Sequence, residues 1–183
     1  MTYSYCMDTV ENLNLERFMG RWYVISAVPS FAEKGCTNAY DDYTLNSDGT
    51  ITIEYHATKK NKLINYSQKA SVIDTLNNSK WKIKFTKPYI PFLKAPYDII
   101  ILDNRYRYMV VGYPNNKYGW IMSRDKIMDE TLYQNILDTL QNKFRYRKNQ
   151  FVKIIHDNVS SKTIDKKHEN RVVTISELYN LVN

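Results

Sequence analysis

The sequence predicts an all-β fold: eight antiparallel strands running up and down around a closed barrel, then one α-helix packed outside it and a short ninth strand. Three observations lead there. Apolar and polar residues alternate with a two-residue period in one segment after another. The segments are joined at hairpin spacing, with no helical stretch between them. The period then changes once, near residue 129, to that of an amphipathic helix. Closing eight antiparallel strands removes exposed edges, which favours a barrel over a two-sheet sandwich. At 183 residues and 43% hydrophobic, the chain is long enough for one domain with a real core and too apolar to be disordered as a whole. It divides into an N-terminal arm (1–12), the barrel with its helix (13–156) and a polar tail (157–183).

The first strand begins at "MGRWYVI" (19–25), where Gly20 stands two residues before Trp22. A glycine is a costly way to begin a strand, so the indole must fill a place that needs a side chain-free residue beside it. "NAYDDYTL" (38–45) runs through the hairpin signal Asp48-Gly49 into "ITIEYHA" (51–57), where Ile51, Ile53 and Tyr55 face one way. "INYSQKASVI" (64–73) follows. In "KWKIKFTK" (80–87), Trp81, Ile83 and Phe85 oppose Lys82, Lys84 and Thr86. "YDIIIL" (97–102), "YMVVGY" (108–113) and "YGWIMS" (118–123) complete the eight. From Asp129 to about Arg147, apolar residues at 132, 133, 136, 137, 140 and 144 mark one helical face, with Asp129 as N-cap. "QFVKII" (150–155) is the ninth strand. In the tail, Thr174 and Glu177 form a capping box that predicts a short terminal helix.

The net charge is +7, and the tail from Asp157 onward is neutral. Part of the excess lies in Lys143, Arg145, Arg147, Lys148 and Lys153, where cations complement the dipole of a helix end. With no nucleic-acid module in the chain, that reading is preferred to nucleic-acid binding. No apolar run approaches the length of a membrane span, and "MTYSYCMDTV" lacks the apolar centre of a secretory signal. The chain is therefore read as either cytosolic or already processed. There is no Gly-x-Ser-x-Gly and no phosphate loop, and His56, His156 and His168 are scattered. No enzymatic activity, metal or cofactor is expected. Cys6 and Cys36 have neither metal spacing nor a CxxC arrangement, which leaves a single bridge or two thiols.

Three segments, in order and each at a strand position, together resemble the lipocalin family over residues 13–156. "GRWY" (20–23) is similar to the family's first motif, "LDNRYRY" (102–108) to its second and "WIMSRD" (120–125) to its third. "YGWIMSRD", "IIILDNRYRYMVVGYP" and "TKPYIPF" are similar to the branch of apolipoprotein D and the bacterial lipocalins. The second motif departs from the commoner Thr-Asp-Tyr form: Asp103 matches and Asn104 follows it. The Asn-, Lys-, Tyr- and Ile-rich composition fits an AT-rich genome, such as that of a malaria parasite, without deciding it.

The resemblance implies that Trp22 plugs the closed end, that Gly20 leaves room there, and that Arg124 lies across the indole. It further implies binding of a small hydrophobic molecule (fatty acid, lysophospholipid, sterol or haem-like tetrapyrrole), with an attached role against lipid oxidation. Alternation combined with the family register turns Ala39, Asp41, Tyr43, Ile51, Ile53 and Tyr55 inward. Tyr66, Gln68, Ala70, Val72, Trp81, Ile83, Phe85, Tyr97, Ile99, Trp120 and Met122 complete the expected ligand wall. An inward Asp41 is expensive unless paired or wet, and a slip of one residue would turn it outward. The stretch "KPYIPFLKAPY" (87–97) is expected as a loop at the barrel mouth, beside Phe31. Its Tyr89, Phe92 and Leu93 would serve as a lid, a membrane-surface contact or an oligomer interface. An alternative function follows from that loop and the tail: a scaffold or membrane-surface assembly protein, self-associated. A few lipocalins are enzymes, one with a cysteine in the cavity, and Cys36 is the residue that would play that part. In the related branch, cysteines near positions 6 and 36 pair with partners that this sequence lacks. The resemblance thus implies a Cys6–Cys36 bridge and an extracellular or lumenal location, the vacuole included.

Overall fold

The computed structural model describes residues 7–30, 32–157 and 171–172. A single turn, α1 (Leu15–Phe18), is capped by the Asn14 side chain, which accepts from the Arg17 backbone N–H at 2.9 Å. The strands β1 (Gly20–Val28), β2 (Cys36–Leu45), β3 (Ile51–Lys59) and β4 (Lys62–Val72) follow. Then come β5 (Lys80–Lys87), β6 (Tyr89–Leu102), β7 (Tyr108–Gly112) and β8 (Gly119–Ser123). Each pairs antiparallel with the next, β8 returns to β1, and the β4–β5 pairing lies within the same circuit, so the sheet closes into a barrel. The expected alternation holds: Ile51, Ile53 and Tyr55, like Trp81, Ile83 and Phe85, are buried in one interior cluster.

The helix α2 (Glu130–Phe144) begins where the Asp129 carboxylate accepts from the Leu132 N–H at 2.9 Å. It ends at Arg145, whose left-handed backbone (φ 62°) stops the helix two residues earlier than its periodicity suggested. Tyr133, Ile136, Leu137, Leu140 and Phe144 pack outside the barrel against Ile25, Val110 and Ile121. The charge pattern at its end is partly consumed locally, since Lys148 pairs with Asp138 and Lys153 with Glu130. Among the described residues, no helix is long and apolar enough to cross a membrane.

Two expectations about the strands are corrected. The stretch 87–97 is a strand rather than a loop: β6 begins at Tyr89, immediately after a turn that holds a cis Lys87–Pro88 peptide. Prolines break a strand only where a neighbour needs their missing N–H. β7 joins β6 no earlier than Asp98, so Pro91 and Pro96 stand where that side of β6 has no ladder to supply. The ninth strand shrinks to β9 (Val152–Lys153), which pairs with Ala27 and Ser26 on the edge that β2 leaves open beyond Tyr23. A further two-residue strand, β10 (Arg171–Val172), runs parallel to Ile64–Asn65 of β4. The predicted terminal helix at Thr174 and Glu177 lies outside the described residues, as do Cys6, Phe31 and His168.

Candidate functional site

At the closed end of the barrel, α1 crosses beneath Trp22. The indole is fully buried, and its Nε1 donates to the Phe18 carbonyl at 2.8 Å. Arg124, from the end of β8, lies with its guanidinium 3.8 Å from the indole centroid. The same guanidinium donates to the carbonyls of Arg21 (2.8 Å), Arg17 (3.0 Å), Phe18 (3.0 Å) and Tyr106 (3.3 Å). Gly20 has φ +91°, and a Cβ there would meet Arg124 Nη1 at 3.4 Å. The glycine therefore serves both the left-handed turn and the space for the guanidinium. Asp103 accepts from the backbone N–H of Arg105 and Arg107 and from the Arg107 side chain, which fixes the β6–β7 turn. These four motif residues build the floor and do not line the cavity of the upper barrel.

Above the floor the interior is largely full. Phe18, Trp22, Tyr43, Trp81 and Tyr97 interlock, with Trp81 stacked on Tyr97 at 5.4 Å and Phe18 set edge-on to Tyr43 at 5.4 Å. Of the expected wall, Ala39, Tyr43, Ile51, Ile53, Ala70, Trp81, Ile99 and Met122 belong to the buried interior cluster and do not line the cavity, with Val72 packed against that cluster. Asp41, Tyr55, Tyr66, Gln68, Ile83, Phe85, Tyr97 and Trp120 come together around a cavity in the upper half. Its other four lining residues, Glu33, Ala95, Pro96 and Tyr113, were not among those expected to form the wall. Its free volume is about 50 Å³, room for a few waters at about 10–15 Å³ each. Ile90 and Leu93 are buried in the same cluster as Tyr55, Tyr66 and Phe85. This corrects the expectation of an unpartnered apolar loop; within that stretch Tyr89 is exposed, and the Phe92 side chain lies outside the described part.

Asp41 faces inward and is partly buried, lining the cavity. Its Oδ2 accepts from Tyr43 Oη at 3.2 Å, and the Tyr43 and Tyr97 hydroxyls hydrogen-bond to each other. Burial, only partly offset by Tyr43, pushes the Asp41 carboxyl up to about 8, and the fields of Glu33 and Asp42 add to the rise. Burial likewise raises the hydroxyls of Tyr43, Tyr55, Tyr66 and Tyr97. Glu33 is held firmly: its Oε1 accepts from Trp120 Nε1 at 2.7 Å and its Oε2 from the Ser30 N–H at 3.0 Å. Tyr55 stacks on Tyr66 with centroids 4.4 Å apart, and Phe85 lies 5.6 Å beyond. Cys36 is buried beside the Ala32 carbonyl (3.6 Å) and does not line the cavity. No disulfide is present among the described residues, and Cys6 is not one of them. His56 stacks on Tyr40 and His156 bonds the Val24 carbonyl at 2.8 Å, both away from the cavity. No group of three metal-ligating side chains occurs among the described residues.

A floor closed by Gly20, Trp22 and Arg124, eight strands in meander order and one outer helix are the features that the sequence motifs implied. Residues 13–156 match the family model of a lipocalin-like domain. The chain belongs to the lipocalin family. Temperature-induced lipocalin-1 of Arabidopsis thaliana is 34% identical over 137 residues, covering 72% of this chain and 74% of the relative. Outer membrane lipoprotein Blc of Escherichia coli is 25% identical over 133 residues, covering 72% and 73%. Apolipoprotein D of Macaca fascicularis is 27% identical over 124 residues, 63% of each chain. Among solved structures, insecticyanin from the tobacco hornworm Manduca sexta superposes with a TM-score of 0.65 over 83% of this lipocalin and 85% of its own chain, at 13% identity. That last likeness is one of fold alone. Family and fold are those of proteins that bind small hydrophobic ligands.

Proposed function

We propose that this lipocalin binds and carries or sequesters a small hydrophobic molecule in the aromatic cavity of its upper barrel. One observation carries the reading: Tyr55, Tyr66, Phe85, Tyr97 and Trp120 converge, with the few polar groups Asp41, Gln68 and Glu33, on a single interior space. An apolar wall with a small number of placed polar groups is what a small-molecule site requires. The free space is well below the roughly 300–1,000 Å³ of occupied ligand sites, so a bound molecule takes its room from the lid. That lid is the β5–β6 hairpin, where Ile90 and Leu93 are buried in the same cluster as Tyr55, Tyr66 and Phe85 and β6 lacks a β7 neighbour before Asp98. Lifting it exposes the cavity from the side of Ala95 and Pro96.

Lysophospholipid, sterol, fatty acid and tetrapyrrole remain the classes to test, with protection against lipid oxidation as the consequence of sequestering them. Native mass spectrometry of the purified full chain tests the reading. A co-purified apolar molecule at one per chain is expected. Protein that carries none, and takes none up from a mixture of such lipids, would contradict it. An extracellular or lumenal location belongs to the same proposal, supported by relatives such as the outer membrane lipoprotein of Escherichia coli. Non-reducing peptide mapping that finds Cys6 joined to Cys36 in protein from its native source would strengthen it. Two alkylatable thiols would remove that support. The scaffold and membrane-surface alternative loses part of its motivation, because Ile90 and Leu93 are covered by the protein itself.

A further inference from the structure

We infer that the preferred ligand is cationic: the cavity takes a protonated amine on a short apolar or aromatic body, with the ammonium group seated between Asp41 and Glu33. The inference rests on the proposed cavity and names the charge class of its occupant. Three features on different elements point the same way. The lining holds two carboxyl side chains, Glu33 from the turn before β2 and Asp41 from β2, and no Lys, Arg or His. The walls are rich in aromatic rings, among them the stacked Tyr55 and Tyr66 and the neighbouring Phe85, and a cation seated over an exposed ring face is attracted by its quadrupole. And among the described residues Asp41 accepts one hydrogen bond, from Tyr43, although an ionised carboxylate has room for several.

The free volume of about 50 Å³ suits an ammonium and its first carbon, while the apolar body extends toward Ala95 and Pro96 at the mouth. A carboxylate headgroup is disfavoured in the same place. It would meet the acid Glu33, already committed to Trp120 and the Ser30 N–H, with no lining cation to pair it. The molecule's surplus of positive charge thus lies on its outside and its cavity is acidic.

Binding also moves a proton. The titratable groups around Asp41 are Tyr43 on its own strand, Tyr55 on β3, Tyr66 on β4, Tyr97 on β6 and Glu33 on the preceding turn, with the acid Asp42 next to it in the chain. Desolvation is the first cause of the rise in the Asp41 carboxyl, and none of these groups supplies a positive charge to oppose it, so the empty site favours the acid form at neutral pH. An arriving ammonium stabilises the carboxylate, and the Asp41 proton leaves to solvent. The ligand keeps its own.

The test is calorimetric titration of the full chain at pH 7 with three compounds of one shape: 2-phenylethylamine, 2-phenylethanol and 3-phenylpropanoate. The amine is expected to bind at least tenfold tighter than the alcohol, and the carboxylate weakest of the three. Repeating the amine titration in buffers of different ionisation enthalpy should show up to one proton released per amine bound. Asp41→Asn should abolish the proton release and remove the amine's advantage over the alcohol. If that variant does not fold, the ranking in the wild type and its weakening in Glu33→Gln decide the matter. An amine that binds no tighter than the alcohol overturns the inference, as does a preference that survives Asp41→Asn. If all three fail while a neutral apolar dye still binds saturably, the cationic inference falls and the hydrophobic-ligand reading stands. If the dye also fails, both fall.

Discussion

Arg124 and Trp22 form the keystone of the barrel floor: the guanidinium lies 3.8 Å from the indole centroid while donating to four backbone carbonyls drawn from α1, β1 and the β6–β7 turn. Only a planar, forked cation can stack on a ring and reach carbonyls on several sides at once. Arg124→Ala leaves a buried ring face and several carbonyls without partners, at a cost of about 3 kcal/mol. Arg124→Lys should recover less than half of that. Thermal unfolding checks both; a lysine variant as stable as the wild type would show that charge alone holds the floor.

Asp41 sets a pH dependence whose sign follows from the direction of its shift. Its carboxyl is raised from an unfolded value of 3.8 to about 8, so the folded state binds more protons than the unfolded state between those limits. Stability from this group is therefore full below pH 4, is lost progressively as pH rises to 8, and is constant above, with a total change of up to roughly 5 kcal/mol. Asp41→Asn removes the titration and keeps an oxygen to accept from Tyr43. Its melting temperature should exceed the wild-type value at pH 8–9 and converge with it near pH 4. A difference independent of pH would contradict the assignment.

Tyr146 joins the segment after α2 to the barrel. Its hydroxyl donates to the Tyr118 carbonyl at 2.7 Å and accepts from the Tyr113 N–H at 3.0 Å, both buried, while its ring lies against Gly119. Tyr146→Phe leaves both backbone groups unpaired in a dry place and should cost about 2 kcal/mol. Amide exchange should show the loss most strongly at Tyr113. Gly119→Ala should also destabilise, since its Cβ would stand 3.2 Å from the Tyr146 ring.

Strand alternation was enough to read the strand order, the two faces of β3 and β5, and the helix with its Asp129 cap, because each depends on local spacing alone; the inward register of Asp41 and the floor motif were legible only through the resemblance to the family. Depth was not legible. A period of two says that Tyr43, Trp81 and Ile99 point inward but not that they fill the lower barrel while Tyr66 and Trp120 border a space. β6 was misread because Pro91 and Pro96 signal a break only if a neighbour needs their N–H, and strand pairing is not visible in the chain itself. Glu33 lies in a turn outside the alternating segments, and Tyr113, the last residue of the segment 108–113, stands one past the end of β7, where alternation no longer says which way a side chain points.

The most direct test of the central claim, that the upper cavity is the binding site, is a side-by-side titration of the wild type and Ala95→Phe with the neutral dye N-phenyl-1-naphthylamine. Ala95 lines the cavity below the mouth, so a phenyl ring there occupies the space a ligand would take, and a preserved melting transition confirms that the barrel still folds. The account predicts one saturable site per wild-type chain with a dissociation constant of about 1 μM or tighter, near 8 kcal/mol, and at least a tenfold loss in Ala95→Phe. Equal affinity in a folded Ala95→Phe, or no saturable binding to the wild type, would contradict it.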